Sequence, residues 1–203
     1  MATTTIDNQT VPTTPGSGKT RLFVDSTTKK LCFIDDAGAI GGRLYHRTST
    51  ASQGAGFASD TFVTDSGLLI PSFGMKVGMV FRWQLTLSKT AAGTAASVVT
   101  VRTGSNQSTA DTSRIALTTS TAQTAAVAEG IMWVQVVVRS VSATGVVAGG
   151  FGMMAPVGLG GGKDGASGTF DNSNMGGLYM GLSINGGASA AWTISTVNGE
   201  IIG

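Results

Sequence analysis

The ten residues MVFRWQLTLS, at positions 79–88, constrain the fold of this chain more than any other stretch. Met79, Phe81, Trp83, Leu85 and Leu87 share one parity; Val80, Arg82, Gln84, Thr86 and Ser88 share the other. A period of two marks a strand with one buried face, whereas an amphipathic helix needs apolar residues recurring at three and four. The pattern returns in IMWVQVVVRSVS (131–142), where Met132, Val134, Val136 and Val138 fall on one face. SVVTVRT (97–103), SRIALTT (113–119), VVAGGFGMM (146–154), LYMGLSI (178–184) and AWTISTV (191–197) are further strand-like runs, with the shorter TFVT and LLI near 61–70. About eight antiparallel strands over residues 57–203 predict a two-sheet β-sandwich, most simply a jelly roll. Nothing else has a helical period, except that TAQTAAVAEG (121–130) reads either as one helical turn or as a loop. LGGGKDGASGTFDNSNMGGL (158–177) reads as a long glycine-rich loop, and loops of that length are usually functional or exposed. Trp83, Trp133 and Trp192 lie on three separate strands, and at least two belong in the core; a sugar-binding aromatic platform is the sharper alternative for them.

The first fifty residues are organised differently. Residues 1–20 read as an extended arm, rich in Thr with Pro12 and Pro15, too poor in apolar area to order alone. Residues 21–50 read as a small β-hairpin module: RLFVD, the turn STTK, KLCFID, the turn DAGA, then RLYHR. A unit of that size is not stable by itself and must pack on a partner or on another copy of itself.

Within the arm, PGSGKT (15–20) invites a phosphate-loop reading. The motif G-x-x-x-x-G-K-[ST] requires a buried strand before it and a helix after it, so that loop amides and the helix N-terminus surround the phosphates. Gly18, Lys19 and Thr20 fit, but the first glycine would fall at Thr13. The flanks TTTIDNQTVPTT and RLFVDS offer neither the strand nor the helix, and Asp35 follows too closely to supply the acidic strand of such a site. A flexible turn leading into a hairpin is the reading the context supports.

Other chemistry is sparse. His46 is the sole imidazole and has no paired nucleophile in the sequence. There is no H-E-x-x-H and no Cys/His cluster for zinc. Asp35-Asp36 is followed by Ala37-Gly38, not by the alternating ligands of a calcium loop. Glu129 and Glu200, the only glutamates, stand far apart with few aspartates near them, which does not suggest a glycosidase pair. Cys32 is the only cysteine, so no internal disulfide exists, and its apolar run predicts a buried inert thiol. No catalytic, cofactor or metal role is therefore expected of any residue.

Charge and composition address partners. Charged residues make up 12% of the 203-residue chain, about half the usual share. Residues 1–50 carry six basic and four acidic side chains and the rest seven of each, so the whole net charge of +2 sits in the first quarter. Basic residues spread from Lys19 to Arg47 among three aspartates are not a nucleic-acid stripe. The uncharged run 146–162 is too short and too glycine-rich to span a membrane, and MATTTIDNQT lacks the basic start and apolar core of a secretory signal. A surface so poor in charge resists association weakly, so an assembled state is expected.

The segment PGSGKTRLFVDSTTKKLCFIDDAGAIG resembles a short module of tailed-bacteriophage virion proteins, in which a proline and glycine lead into K-x-R-L-F-V-D-S, a hairpin, and a second strand closing on D-x-x-G. FRWQLTLSKTAAGTAASVVTVRTGS, TADTSRIALTTSTAQTAAVAEG and LSINGGASAAWTISTVNGEII are similar to the β-sandwich domains of the same class, so the resemblance covers most of the chain. It departs at Cys32 and Phe33, where more polar residues are common. The resemblance implies a non-enzymatic virion protein: a trimeric decoration or cement protein on the capsid exterior, made in the host cytoplasm, with itself and the major capsid protein as partners. The arm and the start of the module, through Pro12, Pro15, Lys19, Arg21 and Phe23, are the expected capsid contacts. The alternative is a tail fibre or receptor-binding protein with a host-surface glycan as ligand, although a fibre usually carries a repeat or coiled coil and none is present.

Overall fold

The computed structural model describes residues 8–38, 40–91, 94–154, 163–187 and 192–203. In chain order the strands are β1 (Asn8–Gln9), β2 (Arg21–Asp25), β3 (Leu31–Ile34), β4 (Ile40–Gly41), β5 (Arg43–Ser49), β6 (Gln53–Gly56), β7 (Thr61–Phe62) and β8 (Leu68–Leu69). They continue as β9 (Val80–Lys89), β10 (Val98–Gly104), β11 (Thr112–Thr118), β12 (Ala128–Val138), β13 (Gly145–Met154), β14 (Lys163–Phe170), β15 (Tyr179–Asn185) and β16 (Trp192–Ile202). No helix occurs among the described residues.

The protein is an all-β, jelly-roll-like antiparallel sandwich. Its larger sheet runs β14-β13-β12-β9-β16-β5, with β6 also on β16; the smaller runs β11-β10-β15-β7, with β8 also on β15. The alternation expected of 79–88 is realised: Met79, Phe81, Trp83, Leu85 and Leu87 are buried, as are Met132, Val134, Val136 and Val138 on neighbouring β12. They meet Val99, Val101, Ile115, Leu117, Leu182 and Ile184 from the smaller sheet in one continuous core. Two of the three tryptophans, Trp83 and Trp192, are fully buried, and each indole N–H is satisfied, by the Ser66 carbonyl at 2.7 Å and by Gln123 Oε1 at 2.8 Å.

Two regions differ from the sequence expectation. The long loop predicted over 158–177 instead contains β14, which pairs with β13 and brings Gly168 against the Arg114 carbonyl of β11. The glycines that argue against a strand are what let this edge of the larger sheet close on the smaller one. Positions 158–162 of that segment lie outside the described residues. Strand β16 also runs five residues beyond its predicted end. A register shift between Ile194 and Thr196 changes its parity, so Trp192 and Ile194 point inward, and then Val197 and Ile201 do. A bulge inserts one extra residue, which conceals the continuation from a strict period-two reading.

The small sheet has the order β1-β2-β3-β4, with β1 parallel to β2. RLYHR, read with this module from the sequence, belongs to β5 and pairs with β16 at the edge of the larger sheet. Nor does the module need another molecule for its inner face: Phe23, Cys32 and Ile34 join the same core as the sandwich. Asp25 ties the two parts together. It is fully buried, its Oδ1 accepts from Thr27 N, Thr28 N and Thr28 Oγ1, and its Oδ2 accepts from the N–H and Oγ–H of Ser72.

Candidate binding surfaces

The GKT sequence forms a turn, with Lys19 N–H donating to the Gly16 carbonyl at 3.1 Å. Gly18 has a φ of 71° and its amide donates to Asp36 Oδ2 at 2.6 Å. A carboxylate thus occupies the amide that a phosphate would need, and β2 starts directly after the turn.

The expected contact residues have separate fates. Lys19 and Arg21 are exposed, and the Arg21 guanidinium donates to the carbonyl and hydroxyl oxygens of Thr13 at 3.0 and 2.9 Å. Pro15 is half-buried and Pro12 buried. Phe23 is fully buried, because β2 turns Phe23 and Asp25 into the core. An aromatic ring in that position holds the module to the sandwich; a partner surface does not reach it.

Parity puts a different set outside. Leu22 opposes Phe33 and Val24 opposes Leu31 across the β2–β3 pair. Leu22 is 57% exposed, Leu31 54% and Phe33 40%. The ring of Phe33 lies across Gly41, where any Cβ would overlap it. The small sheet is therefore apolar on both faces: one is covered by the chain's own core, and the other presents three large side chains to solvent. The signal was present in the alternation of RLFVD and KLCFID, where both parities are apolar.

A second surface lies on the outer face of the larger sheet. Arg82, Gln84, Trp133, Gln135, Asn198 and Glu200 line a groove of about 400 Å³. Trp133 opposes Gln84, and Gln84 opposes Asn198; Gln135, Arg82 and Glu200 form the adjoining row. Beyond Trp133 and Gln135, β13 contributes Gly152 and Gly150, so the floor continues without side chains. Arg82 pairs with Glu200 at 3.3 Å.

Reactive groups are held in structural contacts. His46 Nε2 lies 2.9 Å from Asn198 Oδ1 and is oriented by an amide, not by a carboxylate. The Cys32 thiol is buried, and its pKa is raised to about 11, first by burial and then by the charge of Asp25. The Lys89 ammonium is drawn inside at the end of β9, donates to the Thr90 and Thr124 carbonyls, and has its pKa lowered by burial. Among the described residues no cluster of His, Cys, Asp and Glu is arranged to hold a metal, and no helix is long and apolar enough to cross a membrane.

No family model and no curated protein matches this chain. Among solved structures it is similar to peanut lectin with a 9mer peptide, at 8% identity and a TM-score of 0.35, covering 77% of this chain and 96% of that one.

Proposed function

We propose that the protein is a non-enzymatic structural component of a tailed-phage virion, a homotrimeric decoration protein that attaches to the major capsid protein on the capsid exterior. The observation that carries this reading is the solvent face of the small sheet. Three large apolar side chains, Leu22, Leu31 and Phe33, stand together on a chain with only 12% charged residues. Contiguous exposed apolar surface marks interaction sites, because water is displaced from it at a gain on docking. The resemblance of PGSGKTRLFVDSTTKKLCFIDDAGAIG to a phage virion module supplies the kind of partner. Three such faces on one trimer would bind together, and linked contacts raise avidity by about 10²–10⁴ over a single one.

The test is attachment to undecorated heads, read by electron microscopy of the particles. Wild-type protein is expected to coat them, and Leu22→Ser combined with Phe33→Ser is expected to lose attachment while keeping the far-UV spectrum and melting of the fold. Full occupancy by the double variant would remove the small sheet from the docking role. Protein that ignores heads and is found only on tails would replace the decoration reading with the fibre reading.

A further inference from the structure

The groove on the larger sheet has features that the docking face does not account for. Its indole differs from the other two. Trp83 and Trp192 are fully buried with their N–H groups satisfied. Trp133 is half-buried, and its N–H has no partner among the described residues. The side-chain amide of Gln84, directly opposite, has none either. Asn198 uses its Oδ1 to accept from Thr48 and to meet His46, which leaves its NH₂ group for a ligand. Gln135 Oε1 takes a long 3.4 Å bond from Arg82, so its NH₂ group too is available. An aromatic face surrounded by amide donors and acceptors is therefore held open above the strands.

The charge of the groove narrows the ligand. The one cation among its described lining residues, Arg82, pairs with Glu200, so a phosphate or carboxylate would have to displace an ion pair to bind there. A wholly apolar ligand would strand the amides. A ligand with an apolar face and many hydroxyls, and no charge, satisfies every wall: its C–H face lies on the indole while its hydroxyls exchange hydrogen bonds with the amides. From β16 to β13 the floor spans about 14 Å, at about 4.8 Å per strand, which is room for more than one pyranose ring. The geometry points to a binding site for a neutral saccharide, centred on Trp133 with Gln84, Gln135 and Asn198 as its polar fence. This site does not rest on the docking reading, since it uses a different sheet and no shared residue.

The experiment screens the full-length protein against a printed panel of neutral glucose, mannose, galactose and N-acetylhexosamine oligosaccharides, with sialylated and phosphorylated glycans as the anionic arm. The strongest neutral hit is then titrated by intrinsic tryptophan fluorescence. Wild-type protein is expected to bind a neutral glycan and to shield Trp133 from acrylamide quenching. Trp133→Ala is expected to weaken binding about tenfold or more, and Gln84→Ala and Asn198→Ala several-fold, with unchanged melting. No binding to any neutral glycan at millimolar concentration overturns the proposal. So does binding confined to anionic glycans, or binding to which Trp133→Ala and Gln84→Ala are both indifferent.

Discussion

The hydroxyl of Ser72 donates a 2.6 Å hydrogen bond to Oδ2 of Asp25, and this bond joins the small sheet to the sandwich across 47 residues of sequence. Asp25 Oδ1 meanwhile holds the β2–β3 turn through the amides of Thr27 and Thr28. One fully buried carboxylate thus shapes the hairpin and docks it. Asp25→Ala is expected to cost about 2–4 kcal/mol, because it strands several buried donors at once, and Ser72→Ala about 1 kcal/mol. Urea unfolding checks the order. An Asp25→Ala protein as stable as wild type would show that the module is held by its apolar face alone.

The Cys32 thiol offers a pH-dependent readout of the same module. Its ionisation is pushed from an ordinary 9.0 to about 11. The folded value lies above the unfolded one, so the fold favours the neutral thiol. The stability this contributes is complete below about pH 9 and is lost as the pH rises from 9 to 11. Cys32→Ala should lack that alkaline loss. At pH 8 a thiol-specific reagent should react with the native protein about 100-fold more slowly than with the unfolded chain, on thiolate population alone. Equal rates in the two states would contradict the buried setting.

Gln123 fastens three loops at one end of the sandwich. Its Nε2 donates to the carbonyls of Ala95 and Gly186, and its Oε1 accepts the Trp192 indole N–H. Gln123→Ala leaves the Trp192 indole N–H and the Gly186 carbonyl, both buried, without this partner, while the Ala95 carbonyl keeps the backbone N–H of residue 123; a loss of about 2–3 kcal/mol is expected in thermal or urea unfolding. Trp192→Phe, which removes one of these bonds, should cost less. The reverse order would count against the amide as the fastener.

Gly168 tests how the sandwich closes at its β14 edge. A Cβ there would overlap the Arg114 carbonyl oxygen. Nearby, the Arg114 guanidinium lies 4.2 Å from the centre of the Phe170 ring and donates to Thr103 Oγ1 at 2.6 Å. Gly168→Ala should push the β11 and β14 edges apart and destabilise by about 1–3 kcal/mol, with faster amide exchange along β14. Unchanged exchange would mean that the edge has room to give.

Assembly can be followed by sedimentation. The proposed trimer would be held by apolar faces, so moderate salt should leave it intact while screening only surface charge. Deleting residues 1–20 is expected to leave the sandwich folded and trimeric and to abolish attachment to capsids. A stable monomer in dilute buffer would refute the trimer, and full coating by the truncated protein would relieve the arm of its role.

The sequence by itself determined which side chains of each long strand face inward. Met79 to Leu87 and Met132 to Val138 alternate because successive Cβ atoms point to opposite sides of a strand, a local property that no distant contact needs to supply. The same parity put Trp133 on the other face from Met132 and Val134, and Leu22 and Phe33 on the other face from Phe23 and Cys32. What the alternation does not contain is which strands become neighbours. KDGASGTF has the composition of a loop and becomes β14 because β13 offers it a hydrogen-bonding edge and β11 a close approach that only glycine tolerates. RLYHR looks continuous with the hairpin before it and instead completes the edge beside β16. The Trp133 groove exists because two registers, β12 on β9 and β9 on β16, bring Trp133, Gln84 and Asn198 into one row. Parity is set residue by residue along the backbone; register is set by hydrogen bonds between segments far apart in the chain, so only the tertiary structure decided it.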